Sequence, residues 1–529
     1  MVESCLDLRW NMDPVAATAA GITDYDGRLG VYARDTVRQY VAALKSSAGS
    51  LEWCSPPELE DEIDRTALLD DTRVAIHRFE REQPHVRNPT FWLSHMFEGL
   101  YLLLALRDRS REHRATAAAG RVQAVPGFLE DAKATLHDCP RIFAEAAIDM
   151  GRSGETLLDR VESQLGPSAP GNLAEDCAKA REALRDFVKF LEDEFLENEN
   201  TGFAIGEDWF DFRLHYEHAL RNSAPELWRF GRELVERVER ELTAMARKIE
   251  PGTSWADLAD RLRADHPSAD NLVAAYAEEM ERAHKFVEER GLVPMLEGGL
   301  EVIETPEFLR PLTPFAAYQP PGPFSSDRTG WFYVTPPDPG SDAATIDRLL
   351  KDHCSHDIPS TALHEGYPGH HLQFLHTLEQ PRPVRKVVGS ALTIEGWALY
   401  CEEMMGEEGF YTDPAQLFFQ KIGLLWRATR VVLDVGLHTR GMSVEEAIAH
   451  LADKLHFDRT HAEAEVRRYC GSPCYQLAYA VGRREFMKLR ESYREAAGGE
   501  YGLRKFHELV VRYCGLPVSL IRWGMGLNE

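Results

Sequence analysis

The sequence predicts a mainly helical fold with one small β element. Along most of the 529 residues, stretches rich in Ala, Leu, Glu and Arg carry apolar residues at helical spacing. Breakers that contain Pro and Gly separate these stretches. A single region, 311–339, replaces the helical pattern with prolines, glycines and a short aromatic run.

The helices are predicted mainly before residue 300 and again from about residue 350 to the C-terminus. The clearest are Glu175–Leu196, Pro225–Ile249 and Asp270–Arg290. Two strands are expected between these helical parts, at Gly330–Thr335 and Glu301–Thr305. Both are short runs of β-branched or aromatic residues, and turn formers bound the first of them, which is typical of strands.

Composition and charge limit the classes of function. Hydrophobic residues make up 44% and charged residues 28% of the chain, as in ordinary globular proteins. Sixty Lys and Arg against 86 Asp and Glu give a formal net charge of −26. Phosphate backbones and anionic lipid surfaces repel a protein this acidic. We therefore expect neither nucleic acid nor a membrane as a partner.

The cysteines and the first residues indicate a location. Glu3 lies within a start that has no apolar core of a signal peptide, and no apolar stretch approaches the ~20 residues of a membrane helix. Nine cysteines are scattered without a paired pattern, which is typical of reduced thiols. These features predict a cytoplasmic protein.

One short segment carries most of the chemical signal. The stretch Pro359–Gln373 contains three histidines and one glutamate within eight positions: His364, Glu365, His370 and His371. Neutral imidazoles are common zinc ligands, and a carboxylate beside a ligand can act as general base. The usual zinc-protease pattern, His-Glu-x-x-His, is absent because Pro368 occupies the fourth position after His364.

Two geometries could supply a second histidine. On a regular helix His371 returns to the face of His364, but two turns of rise (~10 Å) separate two ligands too far for one metal ion. A bulge at the Gly366–Gly369 insert would instead deliver His370. We favour His370 as the ligand, with His371 facing the cleft or supporting a ligand.

A third ligand is expected from the segment Leu392–Glu403. Glu395 lies 31 positions after His364, and Glu402 follows seven positions later on the same helical face. One of these carboxylates could bind the metal ion while the other orients a histidine.

These motifs resemble a known family. His364–Gln373 and the following Glu395-Gly-Trp-Ala-Leu-Tyr400 are similar to motifs of the large bacterial family called domain of unknown function 885. The similarity covers nearly the whole chain, from Asp13-Pro-Val-Ala-Ala-Thr18 onward. That family is grouped with zincin-like metallopeptidases of the gluzincin type, which implies a large helical zincin-like fold with a small β element before the metal-binding helix.

The resemblance also implies a ligand set. Helical gluzincins of the thimet and Taq carboxypeptidase types use His-Glu-x-Gly-His, and the dipeptidyl-peptidase III type inserts one residue. The present motif, His364-Glu-Gly-Tyr-Pro-Gly-His370, looks like the same pattern with one further residue inserted. Carried over residue by residue, the metal ligands are His364, His370 and Glu395, the general base is Glu365, and the cofactor is zinc, although such ligands accept other transition metals.

Further catalytic residues are expected near the C-terminus. Tyr479 is the first candidate to donate a hydrogen bond to the oxyanion, and a buried core tyrosine is the alternative. Arg468 is the candidate to hold a peptide's C-terminal carboxylate, and a surface ion pair is the alternative. The resemblance to zincins also implies that the strand Gly330–Thr335, which precedes the metal helix, is an edge strand that pairs with an extended substrate.

The resulting expectation is a zinc metallopeptidase that hydrolyses peptide or related amide bonds in short substrates, with a carboxypeptidase as one form. The alternatives are a non-catalytic metal- or peptide-binding protein and a metallohydrolase of a non-peptide amide or ester. A helical part, 1–300, is expected to form one wall of the cleft and 301–529 the metal-binding part, within one continuous fold unit. The sequence leaves the oligomeric state open.

Overall fold

The structure is a computed structural model that describes residues 2–197, 200, 202–306, 310, 313 and 315–527. Within them the chain is mainly helical with one small sheet, as predicted. Residues 311, 312 and 314 of the proline-rich region lie outside the described residues. The chain divides into two compact units. The first unit is Met1–Phe203 with Gly322–Asp327, and the second is Ala204–Pro321 with Arg328–Glu529. The expected roles of 1–300 and 301–529 stay a prediction.

The first unit contains nine α-helices. They are α1 Val2–Met12, α2 Pro14–Ala20, α3 Arg34–Trp53, α4 Leu59–His77, α5 Pro84–Arg87, α6 Pro89–Ala105, α7 Arg111–Thr135, α8 Arg141–Leu165 and α9 Leu173–Phe195 among the described residues. The predicted helix Glu175–Leu196 is confirmed as α9, whose N-cap Asn172 accepts a hydrogen bond from the backbone of Glu175. The fully buried Arg121 is satisfied inside this unit by the carbonyls of Arg28 and Gly99.

The second unit contains the remaining helices. They are α10 Glu207–Tyr216, α11 Ala224–Ile249, α12 Trp255–Leu262, α13 Leu272–Arg290, α14 Ala343–Leu350, α15 Ile358–Glu365, α16 His370–Glu379, α17 Pro383–Val387, α18 Ala391–Glu407, α19 Pro414–Thr439, α20 Val444–Leu455, α21 Arg459–Cys470, α22 Ala478–Ala497, α23 Leu503–Val511 and α24 Val518–Gly524. The predicted helices Pro225–Ile249 and Asp270–Arg290 are confirmed as α11 and α13. A capping box between Ser223 and Glu226 starts α11.

The small sheet has three strands: β1 Leu300–Glu304, β2 Ala316–Gln319 and β3 Gly330–Val334. Both predicted strands are present, as β1 and β3. β3 is the central strand, because it pairs in parallel with β1 and antiparallel with β2. The expectation that Gly330–Thr335 forms an edge strand is therefore wrong. The unpredicted β2 occupies that edge, and it was missed because its four residues, two of them alanines, carry little strand signal.

The histidine motif forms two helices instead of one bulged helix. α15 ends at Glu365, and α16 begins at His370 after the insert Gly366–Gly369. A Cβ atom at Gly369 would collide with the backbone carbonyl of His364. Glycine at this position therefore allows the two helix ends to come together with His364 and His370 side by side.

A close helix crossing holds the next part of the motif. Gly396 of α18 lies directly against Gly482 of α22, and a Cβ atom on Gly482 would collide with the carbonyl of Leu392. The two glycines let the backbones approach, which places α22 beside the segment that carries Glu395.

All nine cysteines are free thiols, in agreement with the sequence pattern. Among the helices of the described residues, none combines the length and the apolar composition that a membrane crossing needs.

Candidate metal centre

Three predicted ligands meet in the second unit. Nε2 of His370 lies 3.3 Å and Nε2 of His364 lies 3.8 Å from Oε2 of Glu395. One ligand atom from each residue lies within 4.8 Å of the others, and all three residues are buried. The structure therefore brings the ends of α15 and α16 together with the first turns of α18.

Glu402 contacts the ring nitrogen of His364 that does not face Glu395. Its Oε1 accepts a hydrogen bond from Nδ1 of His364 at 2.8 Å, and its Oε2 accepts one from Gln420 at 3.4 Å. Of the two carboxylates that the sequence left open, Glu395 therefore lies between the two histidines, and Glu402 orients His364. A carboxylate behind a ligating histidine fixes its tautomer and leaves Nε2 free to bind a metal ion.

The charges of the cluster reflect this arrangement. Burial alone would lower the pKa of His364, but hydrogen bonds with Glu395 and Glu402 outweigh burial and raise its pKa to about 10. Burial would raise the pKa of Glu395, yet hydrogen bonds with His364 and His370 hold it well below its usual value. The two buried carboxylates of the site thus stabilise positive charge beside them.

The donor set fits a zinc ion. Zinc is bound by imidazole and carboxylate groups at about 2.0–2.2 Å, and two ligand atoms on a tetrahedral ion are then about 3.3–3.6 Å apart. The separations around Glu395 are 3.3 and 3.8 Å. Nδ1 of His370 is buried without a hydrogen-bond partner among the described residues, whereas Nδ1 of His364 has Glu402.

His371 does not join the cluster. Its Nδ1 interacts at 2.9 Å with the hydroxyl of Tyr318 on β2, and its ring packs at 5.2 Å against Tyr367. Burial lowers the pKa of His371 to about 4, so this imidazole is neutral near pH 7. Neighbouring residues on a helix point about 100° apart, which is why only one of the two adjacent histidines meets Glu395.

Glu365 lies at the C-terminal end of α15, directly after His364, and it lines the cavity described below. Within the part of the chain that the structure describes, its carboxylate has no hydrogen bond or ion pair with a protein group. A carboxylate that is not engaged by the protein is free to accept a proton from a water molecule or a substrate.

Tyr479 lies beside the ligands, whereas Arg468 does not. The ring of Tyr479 stacks 6.4 Å from that of His364, at an interplanar angle of 18°. Burial raises the pKa of Tyr479, so it is a neutral hydroxyl. Arg468 is 44% exposed, pairs with Glu465 and is not among the residues that line the cavity.

Tyr475 was missed by the sequence analysis. Its hydroxyl donates a hydrogen bond to Oε1 of Glu395 at 2.5 Å. It lies in the turn between α21 and α22, where Asp434 accepts hydrogen bonds from the backbone N–H groups of Cys474 and Leu477. No pattern around Tyr475 distinguishes it from a core tyrosine, because its role depends on that turn.

A cavity of about 1460 Å³ opens beside the cluster. His364, Glu365, His370, Glu395 and Tyr479 all line it, and every lining residue belongs to the second unit. This volume exceeds the roughly 300–1,000 Å³ of a typical small-molecule pocket, so the cavity has room for several residues of a peptide.

Comparison with known proteins identifies the family. The model of a family described as "Bacterial protein of unknown function (DUF885)" matches residues 14–525. The chain belongs to the DUF885 family. No curated protein matches this DUF885 protein.

Two solved structures share the fold of this DUF885 protein. One is a "putative lipoprotein of unknown function" from Shewanella oneidensis, with 22% identity and a TM-score of 0.83, in which the match covers 99% of this chain and 98% of the other. The second is a "putative lipoprotein" from Colwellia psychrerythraea, with 15% identity, a TM-score of 0.84 and coverage of 99% and 97%.

These descriptions contradict the cytoplasmic location expected above. Both similar proteins are described as lipoproteins, a class held at membranes through an attached lipid. The expectation was wrong because net charge and unpaired thiols are properties of the folded body and do not determine where a protein is located.

Proposed function

We propose that this DUF885 protein is a zinc-dependent hydrolase of peptide or related amide bonds in short substrates, related to the gluzincin metallopeptidases. One observation carries the proposal. Two imidazoles and a carboxylate meet within 4.8 Å in the wall of a large cavity, and Glu365, a carboxylate without a protein partner among the described residues, lies next to them.

His364, His370 and Glu395 would hold the ion. Bound zinc would supply Lewis acidity to a substrate carbonyl and acidify a water molecule. Glu365 would accept the proton of the attacking water and pass it to the leaving amine. Glu402 keeps His364 oriented through the 2.8 Å hydrogen bond to Nδ1, and Tyr475 fixes the carboxylate of Glu395.

Tyr479 would donate a hydrogen bond to the oxyanion that develops on the substrate carbonyl. Its pKa is raised by burial, so the hydroxyl keeps its proton near neutral pH and can donate it in a hydrogen bond. The guanidinium of Arg430 lies 5.1 Å from the centre of the Tyr479 ring and is itself held by Tyr469 and Glu465. This packing would restrict the tyrosine to one orientation.

The outer edge of β2 would bind the substrate backbone in place of the strand expected from the sequence. Ala316 and Tyr318 of β2 line the cavity, and β3 occupies its other edge. An extended peptide can add to such an edge through backbone hydrogen bonds.

The Glu365→Gln substitution tests the proposal. The amide cannot accept a proton, so kcat on a mixed library of short peptides should fall by roughly 10²–10⁴-fold, while zinc content and melting temperature stay unchanged. Glu379→Gln is the matched control, because Glu379 is an exposed residue of α16 that pairs with Arg328, and its loss should leave kcat unchanged.

Two results would contradict the proposal. Retention of full activity by the Glu365→Gln protein would show that another group takes the proton. Zinc-loaded protein that hydrolyses no peptide, amide or ester of the library would favour the non-catalytic binding protein.

A further inference from the structure

The basic side chains that line the cavity differ in whether they form ion pairs with acidic side chains. Four of them already have acidic partners: Arg263 with Asp260, Arg310 with Glu304, Lys351 with Asp347 and Arg430 with Glu465. Arg348 is exposed. Arg427 is the half-buried exception, since it has no ion pair within the described residues.

Arg427 is poorly satisfied by the protein. Its Nε atom is buried without a hydrogen-bond partner among the described residues, and its Nη1 donates only to the carbonyl of Gly423 on the same helix, at 3.4 Å. The guanidinium carbon lies 5.2 Å from the ring centre of Trp426. A partly buried guanidinium that lacks its hydrogen bonds is costly unless a ligand supplies the acceptors.

The position of Arg427 relates it to the metal centre. Its guanidinium carbon lies 5.9 Å from the centre of the Tyr479 ring, and the centre of the His364 ring lies 6.4 Å from that same ring centre. Each spacing corresponds to about two residues of extended chain, at 3.3–3.6 Å per residue. A group bound by Arg427 is therefore only a few residues away from a bond held at the ligands.

The rest of the cavity favours a single anionic end group. Asp357, Glu365 and Glu402 line the same cavity and would repel a substrate that carries many negative charges. One carboxylate at Arg427 would supply the hydrogen-bond acceptors that this guanidinium lacks among the described residues. A guanidinium fork matches a carboxylate through two parallel hydrogen bonds.

We propose that Arg427 binds the free C-terminal carboxylate of a short peptide, so that the metal centre cleaves within a few residues of the C-terminus. This inference rests on the proposed function and names its substrate class. It assigns to Arg427 the role that the sequence suggested for Arg468, whose side chain is 44% exposed, pairs with Glu465 and does not line the cavity.

The test compares two libraries of acetylated tripeptides that differ only at the C-terminus, one with free acids and one with amides. Native mass spectrometry of the zinc-loaded Glu365→Gln protein measures binding without turnover. The free acids should bind roughly 10- to 100-fold more tightly than the amides. Arg427→Gln should remove this preference, and Arg427→Lys should keep part of it, because lysine retains the charge without the fork.

Arg468→Gln is the matched control, and it should leave the acid-to-amide ratio unchanged. Unchanged binding of amides by the Arg427→Gln protein would show that the site is still folded. Equal binding of acids and amides, absence of binding by both, or a preference that survives Arg427→Gln would overturn the inference.

Different results would overturn the proposed hydrolase function and the proposed role of Arg427. Turnover of acids and amides at equal rates would support the hydrolase and overturn the role of Arg427. A preference for acids in binding that depends on Arg427, without turnover of either library by the unsubstituted zinc-loaded protein, would support Arg427 and overturn the hydrolase.

Discussion

Glu395 and Glu402 are identical side chains on one face of α18, but they contact different atoms of the candidate site. The residues stand seven positions apart on α18, and both are buried. Glu395 lies among the imidazole Nε2 atoms, whereas Glu402 meets the opposite nitrogen of His364. Without Glu402, the ring of His364 could rotate and Nδ1 could compete as the ligand atom.

Glu402→Gln therefore tests the supporting carboxylate. The charge behind His364 is lost, so the affinity for zinc should fall roughly 10- to 100-fold, as is typical for carboxylates that hold a ligating histidine. Competition with a chromophoric chelator measures this affinity. Glu403→Gln is the control, because Glu403 is the next residue on α18 and pairs with Arg483 instead. Equal zinc affinities of the two variants would contradict the assigned role.

The residue types of the site could be predicted, but part of its geometry could not. His364, His370 and Glu395 carry a chemical signature in their spacing, because few functions need several imidazoles and a carboxylate so close in sequence. Arg427 and Tyr475 carry no such signature. Arg427 stands out only because it is half-buried and forms no ion pair with the described residues, whereas three other cavity arginines form ion pairs and Arg348 is exposed. Tyr475 reaches Glu395 only through the turn that Asp434 holds.

At the scale of elements, glycines set the distances between the helices of the site. Gly369 permits the break between α15 and α16, and Gly396 with Gly482 permits the crossing of α18 and α22. The sequence predicted that the insert would deliver His370. It predicted a bulge within one helix, whereas α15 ends at Glu365 and α16 begins at His370. The two outcomes could not be distinguished from the sequence, because both place glycine and proline at the same positions.

The helix crossing gives a prediction at this scale. In Gly396→Ala the added methyl group meets the backbone of Gly482, so α22 must move away from α18 beside the ligand Glu395. The free energy of unfolding should fall by about 1–3 kcal/mol, and zinc affinity should decrease as well. Denaturant titration and chelator competition measure the two effects.

Gly49→Ala in α3 is the matched control for this substitution. A Cβ atom at Gly49 meets nothing within 4 Å, so alanine should stabilise the helix by about 0.5–1 kcal/mol and leave zinc affinity unchanged. If Gly396→Ala behaved like Gly49→Ala, the close crossing of α18 and α22 would not be needed for the site.

For the sheet, the sequence predicts which segments form two of the strands but not how the strands are arranged. β1 and β3 were predicted from their β-branched and aromatic residues, and both exist. The position of β3 at an edge was predicted wrongly, since a strand's composition does not say which neighbours it has. β2 adds antiparallel to β3 and turns the expected edge strand into the central one.

At the scale of the whole molecule, the site belongs to one of the two compact units. Its ligands come from α15, α16 and α18, its supporting groups from α19 and the turn before α22, and all of these lie in the second unit. The proposed zinc ion would stabilise only those conformations in which His364, His370 and Glu395 are together. Its effect on local opening should therefore be confined to the elements that the ligands connect.

Hydrogen exchange with and without zinc tests this expectation. At a free zinc concentration 100 times the dissociation constant, binding stabilises the site by about 2.7 kcal/mol, so amides of α15, α16 and α18 that exchange by opening the site should exchange roughly 100-fold more slowly. Amides of α7 and α9 in the first unit should not change. The His364→Ala protein is the control, because it lacks a ligand and should show no slowing. Equal slowing in both units, or slowing that persists in His364→Ala, would show that zinc acts somewhere other than at the three ligands.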